Sequence, residues 1–171
     1  RPDIGVVTAV GHSHTERVGG IEGVAKAKKE LVEALDASGT AVLNVDDERV
    51  LAMARHTDAT VLTYGAAGDV RVSGLALDAL ARPRFRVETP WGNADVELAA
   101  SGAHMASNAA AAIAVAGSVG VSLDAAVEAL ATASISGMRM EVSTAPSGAT
   151  VINDAYNANP TSMIAALEAL A

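Results

Sequence analysis

Lys28 occupies a position where a lysine needs explaining. The apolar residues Ile21, Val24, Leu31, Val32 and Leu35 recur at helical spacing. At about 100° per residue, Lys28 falls between Val24 and Leu31, while Lys26, Glu30 and Glu33 point away. The spacing therefore aims a lysine at the core. Its stem can pack there while the ammonium escapes to water. Alternatively the amine is desolvated, gives up its proton more readily, and can react or be modified. His14 lies in Gly11-His12-Ser13-His14-Thr15-Glu16, just past an apolar run. An imidazole there can ligate a metal, touch a phosphate or hydrogen-bond within its loop. His104 and Asn108, four apart at the head of an otherwise apolar helix, share a face. Capping the helix start would satisfy His104 more readily than Asn108, which could bind a neighbouring backbone or an adenine edge. The densest polar string is Asn153-Asp154-Ala155-Tyr156-Asn157-Ala158-Asn159-Pro160. Asx residues before proline form turns, but turn chemistry does not explain three Asn, an Asp and one of only two Tyr at one junction. Asn44, Asp46 and Asp47 follow another apolar run, and acidic helix starts are ordinary caps.

These residues need elements to hold them. Ile4 to Val10 reads as a strand buried on both faces, followed by a Gly- and His-rich loop and the helix from Ile21 to Leu35. Thr40 to Val45 is a second strand, a helix runs from Asp46-Asp47 to about Arg55, and Thr60 to Tyr64 is a third strand. Strand, helix, strand, helix, strand at this spacing predicts a parallel sheet, whose ligands bind beyond the carboxyl ends of the strands. From Asp69 to Ala100 shorter alternating segments follow, with Pro90-Trp91-Gly92-Asn93 turning between Phe85–Glu88 and Ala94–Leu98, which predicts a small antiparallel patch. Helices return at His104 to Gly117 and Leu123 to Thr132, the second capped by Ser122. Arg139 to Thr144 and Thr150 to Asn153 read as paired strands across Pro146-Ser147-Gly148, and Pro160 opens a last helix as a first-turn proline.

The 171 residues are one domain's worth of chain, with 12 Lys plus Arg against 20 Asp plus Glu and a net charge of -8. Without a basic cluster, a nucleic-acid backbone is a poor partner. The absence of cysteine excludes disulfides, thiolate metal sites and thiol nucleophiles. The uncharged stretch from Leu98 to Leu123 is long enough on paper to span a bilayer. Ser101, His104, Ser107, Asn108 and Ser118 interrupt it, however, and its Ala and Gly supply little transfer energy. A buried helix with flanking turns is the better reading. The chain opens Arg1-Pro2-Asp3 without an initiator Met or a leader and looks like a piece of something longer.

Taken together, these strings resemble the central domain of the Mur ligases, most closely the branch that joins D-Ala-D-Ala to UDP-MurNAc-tripeptide. Asp154-Ala155-Tyr156-Asn157-Ala158-Asn159-Pro160 has the form characteristic of that branch, where other branches carry an Asp-Tyr-Ala-His-Asn-Pro version. Ile4 to Glu16 resembles the family's apolar strand followed by Gly-x-x-His-x-Glu. Ala27-Lys28-Lys29-Glu30 resembles its Ala-Lys-x-Glu helix, and Gly102 to Asn108 its Gly-x-His-Asn-x-x-Asn motif, with Met105 where many relatives have Asn.

The resemblance implies an α/β fold like that of the P-loop NTPases, a mostly parallel sheet flanked by helices with a small antiparallel β patch. Residues 1–171 would be part of the central domain, with 160–171 beginning the helix that leads towards a carboxyl-terminal domain. It further implies a cytoplasmic ATP- and Mg²⁺-dependent ligase of peptidoglycan precursor synthesis, working through an acyl phosphate. His14 would be a Mg²⁺ ligand and Lys28 a lysine carbamylated by CO₂, which makes it the kind of oxygen donor Mg²⁺ prefers. Asn108 would contact the adenine, with His104 in the same motif. Arg139 and Asp154 would meet the γ-phosphate and ribose, and Tyr156, Asn157 and Asn159 would line the nucleotide's edge. The family's Gly-Lys-Ser/Thr phosphate loop and an acidic Mg²⁺ ligand would lie upstream of Arg1, so residues 1–171 alone are expected to be inactive. A related ligase, such as folylpolyglutamate synthase or another Mur ligase, and a non-catalytic interaction domain are the alternatives.

Overall fold

The computed structural model describes residues 1–11, 19–134, 136–158 and 160–169. The first three apolar runs form β1 (Ile4–Val7), β2 (Thr40–Asn44) and β3 (Thr60–Gly65), paired in parallel in that order. Helix α1 (Gly20–Glu33) connects β1 to β2. Between β2 and β3 the predicted helix is only one α turn, α2 (Glu48–Leu51), which tightens into a 3-10 helix over Ala52–His56. Asp47 caps α2, its Oδ1 accepting from the Arg49 and Val50 amides at 2.9 and 3.2 Å.

The alternating segments become β4 (Val70–Leu77), β5 (Pro83–Thr89) and β6 (Gly92–Glu97). They do not stand apart as a patch. β4 joins β3 in parallel through a short ladder, Tyr64 opposite Val70 and Gly65 opposite Arg71, and β5 and β6 add antiparallel to give one six-stranded sheet. The separate antiparallel piece is the hairpin of β7 (Glu141–Thr144) and β8 (Thr150–Asn153). Arg139, expected in that hairpin, precedes it. Helices α3 (Met105–Ser118), α4 (Leu123–Thr132) and α5 (Pro160–Glu168) complete the described elements. Ser122 Oγ caps α4 by accepting from the Ala125 amide at 3.3 Å. Among the described residues no helix is long and apolar enough to cross a membrane.

Strand alternation divides the core into two layers. Val7, Ala41, Leu43 and Val61 face α1, α2 and the 3-10 helix, packing with Val24, Val32, Leu35, Val50 and Met53. Ile4, Val6, Val42, Leu62 and Tyr64 face the other way, onto α3, because successive side chains on a strand point to opposite sides. The alanines of α3 (Ala106, Ala109, Ala110, Ala111, Ala114) are buried around Ile113, and their small side chains bring the helix close to the sheet. Gly5 does the same for α1: a Cβ there would lie 3.2 Å from Leu31 Cγ.

The β4–β6 extension is covered on one face only. Val70, Phe85, Val87 and Val96 are buried beneath α3 and α4. The other face carries the cross-strand pairs Arg71–Glu88, Arg84–Glu97 and Arg86–Asp95. That is the alternation expected of an antiparallel sheet with one wet side.

Candidate functional site

Because β6 runs in the same direction as β1 to β4, the chain leaves all five at one edge of the sheet. Most of the sequence-predicted residues gather along this edge. Beyond the end of β1, three consecutive residues are each held by a side chain from a neighbouring element. Asn44 Nδ2 donates to the Thr8 carbonyl at 2.9 Å, Lys28 Nζ to the Ala9 carbonyl at 2.6 Å, and the Val10 amide donates to Asp47 Oδ2 at 2.7 Å. The supports are themselves braced. Asn44 Oδ1 accepts from the Asp46 amide at 2.9 Å, and the Asp46 carboxylate accepts from the Ala66 amide at 3.0 Å. Gly65 (φ 126°) lets the end of β3 pass this carboxylate, since a Cβ there would come within 2.6 Å of Asp46 Oδ2. Burial, with the charges of Asp46 and Asp47 beside it, pushes the Tyr64 hydroxyl up to about 12.

Lys28 corrects an expectation. It lies on the helix face that the spacing indicates, but it is exposed. The buried positions of α1 are Val24 and Val32, and Leu31, the other flank of the supposed stripe, is 37% exposed. Its amine reaches the main chain that emerges from β1, at the Ala9 carbonyl. Burial therefore does not prepare this amine; a fixed carbonyl holds it. Of Asn44 and Asp47, read from sequence as part of an ordinary helix start, Asp47 is the cap, Asn44 holds the turn at the Asp46 amide, and both also grip the β1 exit. Only their clustering after β2 could have signalled this.

A second group forms where α3 begins. His104 precedes α3 in helical conformation (φ -62°, ψ -18°) and makes no side-chain capping bond. This corrects the expectation of a cap, which needs an extended residue at that position. The imidazole instead lies against Gly102, where a Cβ would be 2.6 Å from Cε1. Partial desolvation holds its pKa below the ordinary histidine value, while the nearby Asp154 carboxylate works in the opposite direction. Asp154 Oδ1 accepts from the Met140 amide at 3.1 Å. The Tyr156 amide donates to the Met138 carbonyl at 3.0 Å, and the Arg139 guanidinium lies 3.9 Å above the Tyr156 ring centroid. Met138 and Met140 take left-handed φ values of 62° and 49°, which swing Arg139 onto that ring.

Arg139, Asp154 and Tyr156 are thus tied together through Met138 and Met140, with His104 near enough for the Asp154 charge to act on it. Asn108 follows one turn after His104, and its amide donates to Met105 Sδ at 3.6 Å. Asn157 is spent locally, its Oδ1 accepting from the Ala158 amide at 2.9 Å. His14 and Asn159 lie outside the described residues.

Next to Arg139 an open cleft of about 520 Å³ is lined by Arg82, Ser101, Ser134 and Ser136 among others. Asp78 already engages Arg82 at 2.7 Å, so the guanidinium available to an anion there is that of Arg139. Among the described residues no three His, Asp or Glu gather as a metal site.

The sequence profile described as "Mur ligase middle domain" matches residues 1–116. The chain is 46% identical over 173 residues to UDP-N-acetylmuramoyl-tripeptide–D-alanyl-D-alanine ligase of Mycobacterium tuberculosis, an alignment covering 99% of this chain and 34% of the ligase. Among solved structures, MurF from Acinetobacter baumannii superposes with a TM-score of 0.93 at 30% identity, over 99% of this chain and 37% of that one. MurF ligase from Thermotoga maritima in complex with ADP superposes at 0.86 and 24% identity, over 99% and 39%. The chain therefore spans about a third of the length of the relatives it matches.

Proposed function

This chain belongs to the Mur ligase family, matching its middle domain, and on that premise we propose that it forms part of an ATP-dependent ligase joining D-Ala-D-Ala to UDP-MurNAc-tripeptide. The observation that carries this reading is the convergence of His104, Arg139, Asp154 and Tyr156 at the ligand edge of the sheet. His104, Asp154 and Tyr156 come from two of the four strings that resemble the family, Arg139 joins them from just before β7, and a third string supplies Lys28 beside the β1 exit.

In this reading the carboxyl-terminal group holds the nucleotide. Stacking on Tyr156 orients the Arg139 guanidinium and leaves its N–H donors free to meet a γ-phosphate, which suits arginine's planar fork. Asp154, held by the Met140 amide, offers its remaining acceptor positions to ribose hydroxyls. His104, disposed to stay neutral, lines the base pocket with Asn108, whose amide needs only to leave the weak Met105 sulfur contact to read an adenine. Asn157 and Asn159 border the nucleotide. Such a site works mainly by positioning reactants and stabilising phosphate charge. Pro160 to Glu168 would begin the connection to a following domain, in a cytoplasmic protein.

Mg²⁺ belongs to this reading through His14 and Lys28. A lysine ammonium repels a dication, so Lys28 can contribute only as a carbamate, whose oxygens are of the type Mg²⁺ prefers. When bound, the ion would neutralise phosphate charge.

Two experiments on the complete protein test the reading. Phosphate release from ATP should depend on D-Ala-D-Ala, and glutamate or L-alanine should not replace it; dependence on either would point to another ligase of the superfamily. Lys28→Ala should abolish activity, and acetate or formate should restore part of it by filling the vacated anionic position. A Lys28→Ala protein with near-normal rates would refute the role of Lys28.

A further inference from the structure

We propose that Asn44 and Asp47 are positioning residues for Lys28, clamping the peptide units on either side of Ala9 so that its carbonyl holds the lysine nitrogen in one place before and after reaction with CO₂. The proposal rests on Lys28 being the carbamylated residue, and adds how this chain prepares an exposed lysine for that role.

A lysine side chain has four rotatable carbons, and on an exposed helix face its nitrogen samples many positions. Lys28 has one short hydrogen bond, to the Ala9 carbonyl at 2.6 Å. Past the end of β1 that carbonyl belongs to no strand ladder, so it would drift with its segment if nothing held it. The neighbouring peptide groups are held from the β2–α2 connection. Asn44 Nδ2 takes the carbonyl of Thr8, on one side, and Asp47 Oδ2 takes the amide of Val10, on the other. Each clamp is tied down by its other polar atom: Asn44 Oδ1 by the Asp46 amide, Asp47 Oδ1 by the first turn of α2. Only side chains with two separate polar atoms can bridge in this way.

The chemistry fits the same contact. The ammonium first loses a proton to solvent, and the amine lone pair then attacks the carbon of CO₂. A C–N bond forms, one C=O π pair moves to oxygen, and a second proton leaves the nitrogen. The product, R–NH–CO₂⁻, keeps one N–H. That N–H can go on donating to the Ala9 carbonyl, and the new carboxylate is directed away from the carbonyl oxygen, which would repel it.

The test uses the complete protein equilibrated with ¹³C-bicarbonate, with the carbamate carbon read by NMR in the absence of ATP. Asp47→Asn keeps an oxygen to cap α2 but sets an amide N–H against the Val10 N–H. Asn44→Ser keeps an acceptor for the Asp46 turn but is too short to reach Thr8. Each should lower carbamate occupancy at limiting bicarbonate by about fivefold, the loss expected for one hydrogen bond, and excess bicarbonate should restore it. Acetate rescue of Lys28→Ala should be the same with and without Asp47→Asn, because rescue bypasses the lysine nitrogen. Thermal unfolding of each variant accompanies the measurement, and if one is unfolded the other decides. Equal occupancy in the unsubstituted protein and a folded clamp variant overturns the proposal and leaves Lys28 carbamylation standing. Absence of any carbamate in the unsubstituted protein removes both.

Discussion

Gly68→Ala tests whether the turn behind the ligand edge is as tightly packed as the structure shows. A Cβ at residue 68 would stand 2.6, 2.7 and 2.8 Å from the Cα, C and N of Tyr64. All three are main-chain atoms of β3, where Tyr64 is paired with Asn44 on one side and Val70 on the other and is only 1% exposed. Contacts under 3.0 Å are ones real Cβ atoms essentially never show, so either the strand or the turn must shift. Overpacking of this kind costs about 1–3 kcal/mol, more where backbone must move, and the upper end applies here. Against it stands the entropy removed from the unfolded chain when Gly becomes Ala, about 0.4–1 kcal/mol. The clash wins, for a net loss of about 2 kcal/mol, which lowers Tm by about 4–8 °C in a protein of this size. The same shift should draw Ala66 away from Asp46 and speed amide exchange at Ala66. Gly11→Ala is the control, since a Cβ there meets nothing within 4 Å, and it should be neutral or slightly stabilising. Calorimetry or denaturant unfolding reads both, and a Gly68→Ala protein at least as stable as the unsubstituted one would refute the steric argument.

Two further outcomes are expected. Because desolvation keeps the folded-state pKa of His104 below the ordinary histidine value of 6.5, the folded protein takes up this proton less readily than the unfolded chain. The contribution to stability is complete above pH 6.5 and is lost as pH falls from there through the lowered value. Asp154→Asn, which removes the opposing charge, should depress the His104 titration further in an NMR pH series, and an upward move would contradict the assignment. Tyr156→Ala should raise the KM for ATP by roughly twofold to fivefold, the worth of one exposed cation–π contact of about 0.5–1 kcal/mol. Tyr156→Phe, which keeps the ring under Arg139, should change it little, and equal effects of the two would assign the hydroxyl, not the stack, to nucleotide binding.

Local chemistry made much of the architecture legible in the residues themselves. The runs Ile4–Val7, Thr40–Asn44 and Thr60–Gly65 are apolar enough to be strands buried between two helical layers. Asp47 and Ser122 announce their helices because capping needs only a side chain and the next few amides. The polar strings of the site were visible for the same reason, as residue types that neither core nor turn accounts for. What tertiary structure decided was everything that depends on a distant neighbour.

The helical wheel placed Lys28 between Val24 and Leu31, but its exposure and its partner, the Ala9 carbonyl, are set by how the chain leaves β1. Val70 to Leu77 looks like any half-buried strand; its pairing partner at β3 makes the antiparallel segments part of the main sheet. Arg139 lies over Tyr156 between two residues of left-handed backbone, Met138 and Met140, and the Asp154 charge acts on His104 from a distant part of the chain. Hydrophobic period and capping are properties of adjacent residues, so they survive in one dimension. Burial, register and side-chain encounter are set by elements brought together from across the chain, and they exist only once it has folded.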